Sequence, residues 1–200
     1  MKINAKDIIK PASTLFIICL IVTLLLSLTN LITYRKIEQM NKETMEASLK
    51  VVLPGASSFA DTADKTCSIG KNGTDTVGYV FTAKAKSYGG DLSVMTGIDT
   101  SGKVTGTVIL SINDTPGLGL NAQKESFRDQ FKQAVPQKGF EVIKSGSAGD
   151  GQIEAMTGAT ITSNAVADCV NQAVSSYQKI VKNGVKILTE DTDTPSKGDE

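Results

Sequence analysis

The sequence predicts an α+β protein: an N-terminal transmembrane helix followed by an extracytoplasmic domain in which an antiparallel sheet is packed by helices. Three observations carry this. Residues 14–33 contain no charged side chain. Between Val77 and Leu110 apolar and polar residues alternate, as in half-buried strands. After Ser163 the apolar residues recur at helical spacing.

Residues 1–13 form a short basic start, with Lys2, Lys6 and Lys10 against Asp7. The run 14–33 follows. At ~1.5 Å per residue it spans roughly 30 Å, the thickness of a bilayer core. A cleaved signal peptide would have a shorter apolar region and a small-x-small site after it. Residues 30–36 offer none, so the segment reads as a retained anchor. The basic residues before it slightly outweigh Arg35, Lys36 and Lys42 after it, counting the amino terminus. That bias places residues 1–13 in the cytoplasm and the large domain outside.

Residues 34–55 read as a juxtamembrane helix. Ile37, Met40, Met45, Leu49 and Val52 keep a helical period, and Pro54-Gly55 ends it. It serves either as a stalk or as the first helix of the soluble domain, taken as residues 56–188. Residues 56–76 are polar and carry Gly70, Asn72 and Gly73, so they read as mostly loop. Val77, Tyr79, Phe81, Ala83 and Ala85 share one face of a strand, and Leu92, Val94, Thr96 and Ile98 repeat the pattern. A turn at Asp99-Thr100-Ser101-Gly102 leads to a return strand with Val104, Gly106, Val108 and Leu110. Such a sheet needs a cover on its apolar face. One candidate is a helix over 122–135, with Phe127, Phe131 and Val135 in register. The other is the segment 164–182, with Val166, Val170, Ala173, Val174, Tyr177, Ile180 and Val181. Short strands are expected at 140–144 and 152–156, with a Gly/Ser loop between them. Residues 189–200 are acidic and read as a disordered tail.

The 200 residues allow one or two small domains. Lys plus Arg equals Asp plus Glu at 21 each, so net charge argues neither for nucleic acid nor for a strongly anionic partner, and no nucleic-acid partner is expected. The chain has no histidine, so a Ser-His-Asp triad or a His-bound zinc site is excluded. Cys19, Cys67 and Cys169 form no C-x-x-C pair, which argues against a metal or iron–sulfur centre of this chain's own. Cys67 and Cys169 either pair in an oxidising compartment or sit apart as small buried residues.

Chemistry points to one stretch. Thr157-Gly158-Ala159-Thr160-Ile161-Thr162-Ser163 lies between a strand and a helix, with Ser163 the expected N-cap. Gly158 and Ala159 leave the backbone open to a second molecule. The helix start offers free N–H groups to an anion. On the residues alone this also fits a plain capped turn with extra threonines. A second stretch, Asp114-Thr115-Pro116-Gly117-Leu118-Gly119, falls after a buried strand and before the expected helix, where binding loops tend to lie.

Thr157-Gly158-Ala159-Thr160, preceded by the acidic Glu154, resembles the flavinylation motif of the Rnf/Nqr flavoproteins. Asp114 to Gly119 is similar to a second signature of that family. Ser87-Tyr88-Gly89-Gly90 and Val94 to Asp99 match it as well, in the same order. The whole pattern is similar to the G subunits of Rnf ion-translocating electron-transport complexes, an FMN-binding domain family related to the C subunits of sodium-pumping NADH:quinone reductases. The resemblance implies FMN bound covalently through a phosphoester on Thr160, with Thr157, Gly158, Ala159 and Glu154 in the recognition frame. It places Asp114, Thr115, Gly117, Leu118 and Gly119 in a loop against the flavin ring. There Gly117 and Gly119 would allow backbone approach, Leu118 an apolar wall and Thr115 a hydrogen bond.

The resemblance further implies a redox subunit of a ferredoxin:NAD oxidoreductase complex coupled to Na⁺ or H⁺ movement, with no substrate turnover of its own. Its partners would be the other integral-membrane and redox subunits, and a flavinyltransferase during maturation. The chain departs from the family at Glu154, where Asp is more usual. It departs again at Ser111-Ile112-Asn113, where a His is often found. Two other readings fit the residues: a stand-alone anchored flavoprotein for extracellular electron transfer, and a cofactor-free anchored binding or assembly module.

Overall fold

The computed structural model describes residues 5–62, 67–144, 146 and 149–183. The acidic segment 189–200 and the basic Lys2 lie outside them. The chain divides into two compact units, Met1–Met45 and Glu46–Glu200. A helix, α1 (Ala5–Val52), begins in the first and ends in the second. Its apolar part is long and apolar enough to cross a membrane. Leu15, Phe16, Leu24 and Ile32 stand exposed on it, with no protein core to receive them.

The second unit is built on a five-stranded antiparallel sheet in the order β1-β2-β3-β4-β5. Its strands are β1 (Ser58–Asp61), β2 (Cys67–Asn72), β3 (Asp75–Ser87), β4 (Gly90–Asp99) and β5 (Val104–Ser111). β3, β4 and β5 fall where alternation predicted strands. β1 and β2 correct the expectation of loop over 56–76. Their own apolar content is low, but β2 is held in register by β3, from Cys67 opposite Phe81 to Asn72 opposite Asp75. β1 then pairs along β2. The glycines of 70–73 mark a bulge and the tip of a hairpin rather than an unstructured segment.

Each sheet face has its own cover. On one, Tyr79, Phe81, Ala83, Leu92, Val94 and Ile98 meet α3 (Thr160–Asn183) through Val166, Val170, Ala173, Val174 and Tyr177. The Tyr79 and Tyr177 rings stand 6.0 Å apart. Ile180 packs at the edge of this cluster, whereas Val181 is exposed. On the other face Val80 and Met95 pack with Val52 and Leu53, the end of α1 and the residue after it. The backbone of Val52 lies on Gly97 and Gly106, where side chains would leave no room. Thr105 donates its hydroxyl to the Val52 carbonyl. Val52 and Leu53, with Leu49 packed against them, are therefore part of the second unit's core, while Val51 stays exposed. β5 changes face within its length: a bulge opposite Gly97/Ile98 puts Val104 on the helix side but Val108 and Leu110 on the α1 side.

The helix expected over 122–135 is not one element. A 3₁₀ turn (Gly119–Gln123) stops at Lys124, whose ψ of 141° is extended. The short α2 (Glu125–Arg128) follows, and a second 3₁₀ turn (Asp129–Phe131) ends it. Ala134 then bridges to Lys103 beside the sheet. The apolar spacing still served packing, because Phe127, Phe131 and Phe140 stack edge to face at 5.8 and 5.4 Å. Parallel β6 (Glu141–Ile143) and β7 (Gln152–Glu154) lead into the start of α3. Cys67 and Cys169 are free thiols buried in the main core.

Candidate functional site

The cleft is made where three segments meet: the β3–β4 hairpin tip, the loop after β5 and the first turn of α3. After β7 the chain turns through Thr157 and Gly158, whose φ of 74° favours glycine. α3 then begins at Thr160, which corrects the expected cap. Ser163 is not the residue before the helix but a fully buried member of its first turn. Its hydroxyl donates to the Ala159 carbonyl and accepts the Met156 N–H, both at 3.0 Å. Ser163 thus fastens the turn to the helix from inside.

The earlier helix start changes where the threonines point. In an extended segment Thr160 and Thr162 would share a side. In a helix they lie roughly 200° apart. Thr162 turns inward, is 2% exposed, and donates to Asp114 Oδ2 at 2.5 Å. Thr160 stays partly exposed on the cleft, and Ile161 beside it is 57% exposed.

Asp114 is the polar centre of the arrangement, at 6% exposure. Besides Thr162 it accepts the Ser87 hydroxyl and, at 2.6 Å, the Gly89 N–H. Burial alone would push its carboxyl up, but the hydrogen bonds from Ser87, Thr162 and Gly89 outweigh that and hold it below the usual carboxylate range. Gly119 makes room for this contact. A Cβ there would come 2.5 Å from Asp114 Cβ and 2.8 Å from Thr162 Oγ1. Between Asp114 and Gly119 the loop is closed by Leu118 N–H and Leu120 N–H donating to the Thr115 carbonyl, at 3.2 and 3.3 Å.

The resulting cleft has a volume of about 640 Å³. From the motif at 157–160 it takes Gly158, Ala159 and Thr160 as lining, and from the loop Asp114, Thr115, Leu118 and Gly119. Thr157 and Gly117 lie exposed in the two turns outside the lining, and so does Glu154 on β7. Glu154's backbone is fixed by Gln130, which accepts its N–H at 2.7 Å. Gly119 faces Asp114 and Thr162, and the Thr115 contribution to loop closure comes from its carbonyl.

Two walls fall inside stretches quoted from the sequence, which gave neither residue a role at the site. Tyr88, 72% exposed at the hairpin tip, closes one side. Ile161 closes another, and Leu118, 43% exposed, a third. A signal existed for each. Tyr88 is an aromatic at a turn flanked by glycine, and Ile161 is an apolar residue off the buried stripe of its helix.

Comparison with known proteins gives the family. A family model described as FMN-binding domain matches residues 87–175, a span holding the cleft's three segments. The G subunit of the Na(+)-translocating ferredoxin:NAD(+) oxidoreductase complex of Acetobacterium woodii is 35% identical, over 91% of this chain and 97% of that one. The G subunit of the proton-translocating ferredoxin:NAD(+) oxidoreductase complex of Clostridium ljungdahlii is 37% identical, over 80% of this chain and 84% of that one. Among solved structures, the C subunit of the Na(+)-translocating NADH-quinone reductase of Parabacteroides distasonis superimposes with a TM-score of 0.50 at 23% identity, over 57% of this chain and 61% of that one. That likeness speaks to fold. The sequence matches speak to descent: the chain belongs to the family of G subunits of Rnf ion-translocating ferredoxin:NAD oxidoreductase complexes.

Proposed function

We propose that the chain is the covalent-FMN electron-transfer subunit of a membrane-bound ferredoxin:NAD oxidoreductase complex that couples electron transfer to Na⁺ or H⁺ movement. The observation that carries this reading is the cleft itself, in which the partly exposed Thr160, in the first turn of α3, stands beside three walls from three separate segments. The volume of about 640 Å³ lies in the usual range for small-molecule sites. The chemistry of the donors also fits FMN. A phosphoester on Thr160 would sit in the first turn of α3, where backbone N–H groups and the helix dipole favour an anion by about 0.3–1 kcal/mol. Tyr88, Leu118 and Ile161 would hold the flat ring. FMN supplies the reversible uptake of electrons that no side chain of this chain provides. The protein binds it, orients it and shields it.

Thr162 competes poorly as the attachment point, because its hydroxyl is buried and already donates to Asp114. Ser163 is likewise engaged at both its donor and its acceptor. Residues 14–33 would lie in the cell membrane, with residues 1–13 in the cytoplasm and the domain from 56 onward outside it. Outside the cytoplasm a covalent tether prevents loss of a cofactor that has no pool to re-bind from. A flavinyltransferase would install it, and the remaining integral-membrane and redox subunits would be the electron donors and acceptors. The test is purification from a host that flavinylates. An FMN mass increment and co-purifying integral-membrane subunits are expected. A colourless protein without such partners would leave an anchored module with a capped helix.

A further inference from the structure

The geometry points to Asp114 as the residue that positions all three walls of the cleft and as the fixed negative charge that depresses the reduction potential of a flavin held there. The inference rests on the FMN reading above and goes beyond it.

The positioning follows from which residues Asp114 holds. Ser87 and Gly89 are the two neighbours of Tyr88, so their bonds to one carboxylate clamp the hairpin tip on both sides of the aromatic wall. Thr162 follows Ile161 and is two residues past Thr160, so its bond fixes the rotation of the first helical turn. That rotation keeps Thr160 and Ile161 facing the cleft. Gly119 follows Leu118, and its missing side chain lets the loop close onto the same carboxylate. A single side chain therefore sets the spacing between elements that come from residues 87–89, 114–119 and 160–162. Three charge-assisted hydrogen bonds hold more firmly than neutral ones would.

The electrostatic half follows from what the cleft lacks. Asp114 is the one charged residue among those that line it. No cation pairs with it among the described residues; its three partners are neutral donors. A buried carboxylate without a counter-ion acts at low dielectric and opposes the arrival of a further negative charge nearby. Its donors reduce that field only in part. Removing the charge and removing a donor should therefore move the potential in opposite directions. A role confined to packing gives no such sign rule.

The experiment uses the full-length protein from a flavinylating host. FMN on the Thr160 peptide is first verified by mass, and the flavin midpoint potential is then measured by redox titration. Asp114→Asn keeps the shape and removes the charge, and the midpoint should move to a more positive value. Ser87→Ala keeps the charge and removes one donor, and the midpoint should move to a more negative value. Shifts of the same sign, or no shift in either variant, overturn the electrostatic role. Asp114→Ala removes the acceptor as well, and exchange of the Gly89 amide should quicken by at least about tenfold. Protection equal to wild type overturns the positioning role. If Asp114→Asn fails to take up FMN, the sign of the Ser87→Ala shift decides. Wild-type protein without FMN refutes the reading on which the inference rests, and is recognised at the mass step.

Discussion

Gly97→Ala tests whether the end of α1 is a structural part of the flavin domain. A Cβ on residue 97 would lie 2.7 Å from the Val52 carbonyl carbon and 2.9 Å from Thr105 Oγ1. Both distances are well inside contact, and the nearest atoms belong to backbone, so the chain at Val52 has to move off the sheet. Overpacking of this kind costs about 1–3 kcal/mol. The bond from the Thr105 hydroxyl to the Val52 carbonyl goes with it, for about 0.5–1.5 kcal/mol more. The gain from replacing a strand glycine by alanine offsets about 0.5–1 kcal/mol. The net loss is about 2 kcal/mol, which for a domain of this size lowers Tm by roughly 4–8 °C. Thermal unfolding of the detergent-solubilised protein reads this directly. Gly149→Ala is the control, because a Cβ there meets only Gln152 Oε1 at an ordinary 3.5 Å. A Gly97→Ala protein that melts with wild type would show that the end of α1 is a detached stalk.

Leu118 is 43% exposed, so Leu118→Ala should cost only about 1 kcal/mol while changing the fluorescence or midpoint potential of a flavin held in the cleft; an unchanged flavin would remove Leu118 from the wall. Asp114 and Asp99 both have carboxyls held below the usual range. For Asp99 burial again pushes upward, and the donors Ser101, Lys103 and Gly102 outweigh it. A depressed folded-state pKa gives stability that is complete above the unfolded value of about 4 and is lost as pH falls through the folded value. Unfolding curves should therefore weaken below about pH 4, and Asp114→Asn should flatten that pH dependence; a variant as acid-sensitive as wild type would contradict the assignment. Burial first, and then the charges of Asp61 and Asp168, push the Cys67 and Cys169 thiols up to about 11 and about 12. Iodoacetamide at pH 8 should leave both unlabelled in the native protein and label both after denaturation without reductant; labelling that requires reduction would reveal a disulfide.

The strands that carry their own apolar alternation were legible in the sequence. Phe81, Leu92, Val94 and Ile98 face α3 as their spacing required. So were Val166, Val170 and Val174, because a helix that covers a sheet writes its contacts at fixed intervals. β1 and β2 were not legible, since pairing onto β3 sets their register and only Phe59, Cys67 and Ile69 contribute to the core, too few to write a period. The phenylalanines at 127 and 131 fit a helix equally well as the short turns that hold them, because spacing alone does not reveal that Lys124 and Lys132 leave helical backbone. Ser163 carried a true cap signal in a place where tertiary contacts gave it another use. Of the cleft, the loop and the motif were visible as short patterns. Tyr88 and the carboxylate shared by Ser87, Gly89 and Thr162 join positions far apart in the chain, and no local pattern records that.

Peptide mapping reads most directly which hydroxyl carries FMN. Protein from a flavinylating host is digested, and the peptide spanning Thr157 to Ser163 is mapped by mass, for wild type, Thr160→Ala and Thr162→Val. The FMN increment should fall on Thr160 in wild type, vanish in Thr160→Ala and persist in Thr162→Val, whose main cost is the lost bond to Asp114. An increment that survives Thr160→Ala but vanishes in Thr162→Val would contradict the account.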